Sequence, residues 1–169
     1  MTATATDRLG LPRRGGERPR TRPHNPHQQL SDIAPPDLQE ALWARMIALP
    51  GTQVGRSRVS LPDTRALYLL PELARGPDHA FVAGTEFAHL HGRGGGSLHL
   101  CLPAAVALEA IEQGWAEQHP MARRGYLPPT LLMVYGPRDA EEAAVVWRLI
   151  RTAYDFARGE FVGGAAPQG

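Results

Sequence analysis

Thr85–Leu102 reads TEFAHLHGRGGGSLHLCL, and this stretch decides the fold. Two largely apolar segments, Thr85–His91 and Ser97–Leu102, flank Gly92-Arg93-Gly94-Gly95-Gly96, whose glycines supply the backbone freedom of a turn. The pattern predicts a β-hairpin. Side chains alternate along a strand, so His89 and His91 share a face. With a five-residue loop, Gly92 to Gly96, His91 opposes Ser97 and His89 opposes His99. A three-residue loop, Arg93 to Gly95, gives the same register. All three imidazoles then share one face, with cross-strand Cβ atoms about 5 Å apart. An even-numbered loop would send His99 to the other side. Glu86 has the opposite parity, so it either faces away in an ion pair or reaches the histidines through a bulge.

The flanking sequence supplies the remaining elements. After Pro35-Pro36, the residues Asp37, Leu38, Leu42, Trp43, Met46, Ile47 and Leu49 give an amphipathic helix ending at Pro50-Gly51. Strands are predicted at 54–60, 65–70 and 80–82, with turn chemistry at Leu61-Pro62-Asp63-Thr64. Downstream, Pro103 opens a helix over 104–113 that Gly114 stops. Residues 115–129 read as irregular, and 130–135 (TLLMVY) as a central strand. Asp139 and Glu142 form a capping box for a last helix carrying Val145, Val146, Leu149, Ile150, Ala153 and Phe156. This order predicts an α+β fold: a mostly antiparallel sheet of five to six strands with two to three helices packed on it.

A chain of 169 residues with 43% hydrophobic and 21% charged residues has the makings of one globular core. Its 18 basic residues are all arginine, which excludes Schiff-base and P-loop lysine chemistry and fits a GC-rich bacterial genome. A single cysteine, Cys101, excludes an internal disulfide framework. No run reaches the roughly 18 apolar residues of a membrane span, and no apolar stretch follows Arg8, Arg13 and Arg14 as in a secretory signal. A cytoplasmic location is expected, with no membrane partner. Residues 1–33 are arginine- and proline-rich with few aliphatic side chains and read as a disordered tail. The folded domain is expected over 34–158, and 159–169 is expected to be flexible. The domain beyond the tail is net acidic, so nucleic acid is not an expected partner.

Three co-facial imidazoles suit two kinds of chemistry. They can act as a general base with oxyanion stabilisers, or His89, His91 and His99 can hold a divalent metal. Histidines that only hydrogen-bond backbone or water are the bland alternative. Cys101, of the same parity as His99, is either a buried structural thiol or a further soft ligand. A second group is Gly114-Trp115-Ala116-Glu117-Gln118-His119-Pro120, which combines an apolar wall, an acid and a histidine in one loop. In a third, Tyr135-Gly136-Pro137-Arg138-Asp139, Arg138 either binds an anionic ligand group or pairs with Asp139 or Glu142.

Taken in series, EFAHLH, SLHL, GWAEQHP and YGPRDAEEA resemble the fungal luciferase family in order and approximate spacing. That family includes enzymes that oxidise 3-hydroxyhispidin. The resemblance runs from about Ala66 to Ala157 and maps onto Glu86, His89, His91, His99, Gly114, Trp115, His119-Pro120, Tyr135, Pro137 and Arg138. Ala116 and Gly136 depart from the fungal pattern, small residue for small residue, and the glycine-rich loop replaces a more polar one. The N-terminal membrane segment of the fungal enzymes is expected to have no counterpart here, with the arginine-rich stretch in its place. The resemblance implies an O2-dependent oxidoreductase, an oxygenase or monooxygenase, acting on a small enolisable hydroxypyrone or aromatic substrate without organic cofactor. His89, His91, His99, His119 and Glu117 would carry the catalysis, and Glu86, Trp115, Tyr135 and Arg138 would bind substrate. Light emission is not expected, because nothing in the sequence speaks for its particular substrate. A non-catalytic module binding a small molecule or metal is the alternative.

Overall fold

The hairpin lies at the centre of the sheet. The computed structural model describes residues 7–163. Its elements are α1 (Pro36–Ile47), β1 (Thr52–Arg56), β2 (Arg65–Leu69), β3 (Glu86–Leu90), β4 (Leu98–Cys101), α2 (Ala104–Glu112), β5 (Ala116–Gln118), α3 (Pro120–Arg123), β6 (Leu131–Val134) and α4 (Ala140–Ala157). Six strands form one antiparallel sheet in the order β1-β2-β3-β4-β6-β5. The class is the α+β class expected. No helix among the described residues is long and apolar enough to cross a membrane.

Strand alternation divides the sheet into two faces. Leu67, Ala88, Leu90, Leu98, Leu100, Leu132 and Val134 turn to one of them. There Leu42 and Met46 of α1 and Val146, Leu149, Ile150 and Ala153 of α4 close the core. Burying each such Leu, Ile or Val contributes about 1.5–3 kcal/mol. The α4 helix starts where the capping box puts it, with the Asp139 carboxylate accepting the Glu142 N–H at 2.9 Å. Across the other face runs a row of register partners, Gly55, Ala66, His89, His99, Met133 and Glu117. One face holds the protein together and the other carries the polar chemistry.

Three local expectations change. The strand expected at 80–82 is absent: Asp78–Ala80 is a 3-10 turn, and an isolated bridge from Ala83 to Glu86 is the pairing there. That apolar run is short, and its buried ends Ala80 and Val82 pack into separate clusters. The strand expected at 54–60 pairs only as far as Arg56. Conversely, Ala116–Gln118, read as irregular, pairs with β6 and completes the sheet edge, and Pro120–Arg123 is helical.

The larger correction concerns the N-terminal segment. Residues 7–33 are not a disordered tail but lie along the domain, although residues 1–6 fall outside the described residues. The Leu9 and Leu11 N–H groups donate to the buried Glu109 carboxylate at 2.7 and 2.6 Å, and Leu11 enters the core. The buried Arg14 guanidinium lies 5.9 and 5.5 Å from the Trp115 and Tyr135 rings and 3.3 Å from Glu142. Thr21 and Gln29 bridge each other, and the Gln29 amide oxygen accepts the Gly136 N–H at 2.9 Å. Apolar composition misled because this segment is ordered by polar links to distant elements. At the other end Phe161 packs against the core, so 159–163 are anchored too; 164–169 lie outside the described residues.

These anchors make a testable prediction. Glu109→Ala removes two hydrogen bonds to a charged group, each worth about 1.5–3 kcal/mol. Urea denaturation is expected to show a loss of about 2–4 kcal/mol. Trypsin is expected to cut after Arg13 or Arg14 in the variant under conditions that leave the parent intact.

Candidate functional site

The hairpin loop has five residues: the His91 N–H donates to the Ser97 carbonyl at 3.0 Å, and Gly95 and Gly96 N–H groups close on the Gly92 carbonyl. The odd count puts His89 opposite His99, as parity requires. Next door, Leu67 pairs with Ala88 but Tyr68 with Glu86, so β3 carries one extra residue there. That bulge turns Glu86 onto the histidine face, the second of its two readings. With no exposed surface, Glu86 places Oε1 2.6 Å from His89 Nδ1, while Oε2 accepts from the Tyr68 hydroxyl at 3.2 Å and from Ser57 at 3.3 Å.

From Glu86 a line of hydrogen bonds crosses the sheet face. His89 Nε2 lies 3.0 Å from His99 Nδ1, and His99 Nε2 lies 3.0 Å from His27 Nδ1. His27 Nε2 lies 2.7 Å from Glu117 Oε1, and Glu117 Oε2 accepts from the Tyr135 hydroxyl at 3.0 Å and from Thr21 at 3.1 Å. The line thus runs Glu86–His89–His99–His27–Glu117, a carboxylate at each end. Its four links need four protons, whereas three neutral imidazoles bring three and two carboxylates none. The line is complete only with one more proton or another cation in it.

Two further imidazoles flank His99. The His91 ring centroid is 4.6 Å away and that of His119 also 4.6 Å. His91 Nδ1 meets the Ser97 hydroxyl at 2.8 Å. His119 caps α3, its Nδ1 accepting the Met121 N–H at 3.1 Å, so neutral His119 carries its proton on Nε2. Burial, reinforced by neighbouring imidazoles, holds His91 down to about 3 and His119 down to about 4, and keeps His99 well below its ordinary value. Burial alone would raise Glu117, but hydrogen bonds from His27, Thr21 and Tyr135 hold its carboxyl below the usual range. Burial and then Glu117 push the Tyr135 hydroxyl up to about 12. Burial pushes the Cys101 thiol to about 12 as well, leaving it a protonated structural group.

His27, His91, His99 and His119 line one wall of a cavity of about 490 Å³, within the range of small-molecule sites. Pro26, Val59, Leu61, Met121, Tyr126 and Leu127 give it an apolar remainder, and Arg58 adds a cation. The structure brings His89, His91, His99, His119, Glu86 and Glu117 together. Tyr135 stands behind Glu117 and touches the line only through it. Two further assigned residues, Trp115 and Arg138, do not line the cavity. Trp115 is no cavity wall: it is a core residue whose Nε1–H donates to the Pro12 carbonyl at 2.7 Å. Arg138 is not among the residues lining this cavity: it pairs with Glu142 and donates to the Gly15 carbonyl at the start of α4. Sequence reasoning missed His27 and Arg58. The only signal for His27 was a pair of histidines in Pro23-His24-Asn25-Pro26-His27, within a segment with little apolar patterning.

Comparison with known proteins points the same way as the motifs. Residues 84–153 match the luciferase domain family. Over 163 residues the chain is 33% identical to a luciferase of Armillaria mellea, and over 164 residues 30% identical to a luciferase of Neonothopanus nambi. A luciferase of Armillaria gallica is 32% identical. Each alignment covers 86% of this chain, which spans 60% of the length of these curated relatives. No solved structure matches.

The lowered histidines set the acid behaviour. His91 and His119 are neutral when folded, whereas an unfolded histidine takes its proton near 6.5. The unfolded state therefore binds more protons as the pH drops. Their contribution is fully present above about pH 6.5 and is lost as pH falls toward 4 and then 3. Thermal melts are expected to show Tm falling steadily from pH 7 to pH 4. His91→Gln, lacking one of these titrations, is expected to fall less over the same range.

Proposed function

We propose, from the match of residues 84–153 to the luciferase domain family and the likeness to fungal luciferases, that this chain is a member of that family and an O2-dependent oxidoreductase acting on a small enolisable hydroxypyrone or related aromatic. One observation carries the reading: a cavity large enough for such a molecule is lined by four buried imidazoles together with a mixture of apolar side chains, such as Val59, Leu61, Met121 and Leu127, and polar ones. The apolar part suits a flat ring system, and the imidazole wall suits its oxygen atoms.

The electrostatics favour holding an enolate over abstracting a proton from an enol. An imidazole held near 3 is a weak base, and each unit of mismatch against a more weakly acidic enol costs 1.36 kcal/mol. A neutral imidazole with a fixed tautomer is a good hydrogen-bond donor, and His119 Nε2–H is one. Arg58 supplies positive charge at the same cavity. An enolate so held gives two electrons to O2 as a carbon–oxygen bond forms, and the enol proton ends on the outer peroxide oxygen. The product is a hydroperoxy ketone, with all atoms of enol and O2 retained.

Purified protein incubated with 3-hydroxyhispidin or simpler hydroxypyrones in an oxygen electrode is expected to consume O2. His119→Phe is expected to lower kcat/KM by about 100-fold, the usual effect of losing one donor to a developing oxyanion. Binding of these compounds without any O2 uptake would instead mark a non-catalytic binding module.

A further inference from the structure

We propose that His89, His91 and His99 together hold one divalent first-row transition ion, with its open side toward the cavity. Ligand nitrogens of these three residues lie within 4.8 Å of one another. The closest pair, His89 Nε2 and His99 Nδ1, is 3.0 Å apart. An ion 2.0–2.1 Å from each nitrogen needs ligand separations of about 2.9–3.4 Å, so His91, within 4.8 Å of the other two, has to close in by no more than about 2 Å to complete the set.

The nitrogens facing away from that point are all occupied. His89 Nδ1 is on the Glu86 carboxylate at 2.6 Å, and His91 Nδ1 on the Ser97 hydroxyl at 2.8 Å. His99 Nε2 is on His27, which is itself held by Glu117. Such outer partners fix the ring and the tautomer of metal-binding histidines. The ion also resolves the proton count. With the cation between His89 and His99, three protons serve the three remaining links, His89 to Glu86, His99 to His27 and His27 to Glu117. Two carboxylates then balance one dication.

A second trio, His27, His99 and His119, also has its nitrogens within 4.8 Å of one another but is chemically wrong. The Met121 N–H occupies the His119 Nδ1 lone pair, so neutral His119 presents a proton, not a lone pair, on Nε2. His119 lines the same cavity as His91 and His99, so that N–H is a donor available to a molecule bound there. An all-imidazole set suits Fe2+, Co2+, Ni2+ or Zn2+ over Mg2+ or Ca2+. His91 and His99 line the cavity, which leaves coordination positions open on that side. The site itself does not rest on the proposed oxidation; only a use for the ion in that reaction does.

The test is elemental analysis of the full chain, purified without a histidine tag and without added metal, followed by Co2+ titration of chelator-treated protein. About one equivalent of transition metal per chain is expected, or a Co2+ ligand-field band saturating at about one equivalent with a rise in Tm. His89→Gln, His91→Gln and His99→Gln are each expected to lower occupancy at least 10-fold, while the exposed His79→Gln leaves it unchanged. The parent titration and its Tm shift need no variant to fold. No bound metal together with no Co2+ band or Tm shift up to 1 mM would overturn the site. So would equal loss of metal in His79→Gln. An occupied ion without O2 uptake upholds the site and sinks the oxidation reading; O2 uptake with no ion binding does the reverse.

Discussion

Two carboxylates set into the domain impose the constraint on which the polar face depends. A buried carboxylate without a hydrogen-bonding or cationic partner costs several kcal/mol, and Glu86 has no exposed surface at all. Its partners are therefore structural necessities. His89 takes one oxygen while Tyr68 and Ser57 share the other. From there each imidazole needs a partner for its second nitrogen, which carries the requirement through His99 and His27 to Glu117. The β3 bulge, the odd hairpin loop and the path of residues 20–30 are all conditions for closing that line.

What was legible in the sequence was local. Strand period and loop count placed His89 opposite His99 because both are read within Thr85–Leu102. The Asp139 cap and the proline at the start of α1 were legible for the same reason. The position of Glu86 was not, because it follows from how Tyr68 pairs across the sheet. His27 was the costliest omission. Its segment has almost no apolar signal, and its order comes from contacts about a hundred residues away, with Glu109 and Glu117. Trp115 and Arg138 adjoin site residues in sequence, yet core packing and helix capping hold their side chains elsewhere.

Small residues along the same row have a part in the site. Gly55 and Ala66 stand in the register row beyond His89. A Cβ at Gly55 would come within 2.9 Å of the Tyr68 ring. Tyr68 donates to Glu86, so a side chain at Gly55 would push on a group holding the carboxylate that holds His89. Glycine in a strand interior ordinarily weakens it. Here, on the edge strand β1, its absent side chain keeps the end of the line in place. The sheet edge and the histidine face are thus one mechanical unit, and the spacing of that unit begins two strands away from the nearest imidazole.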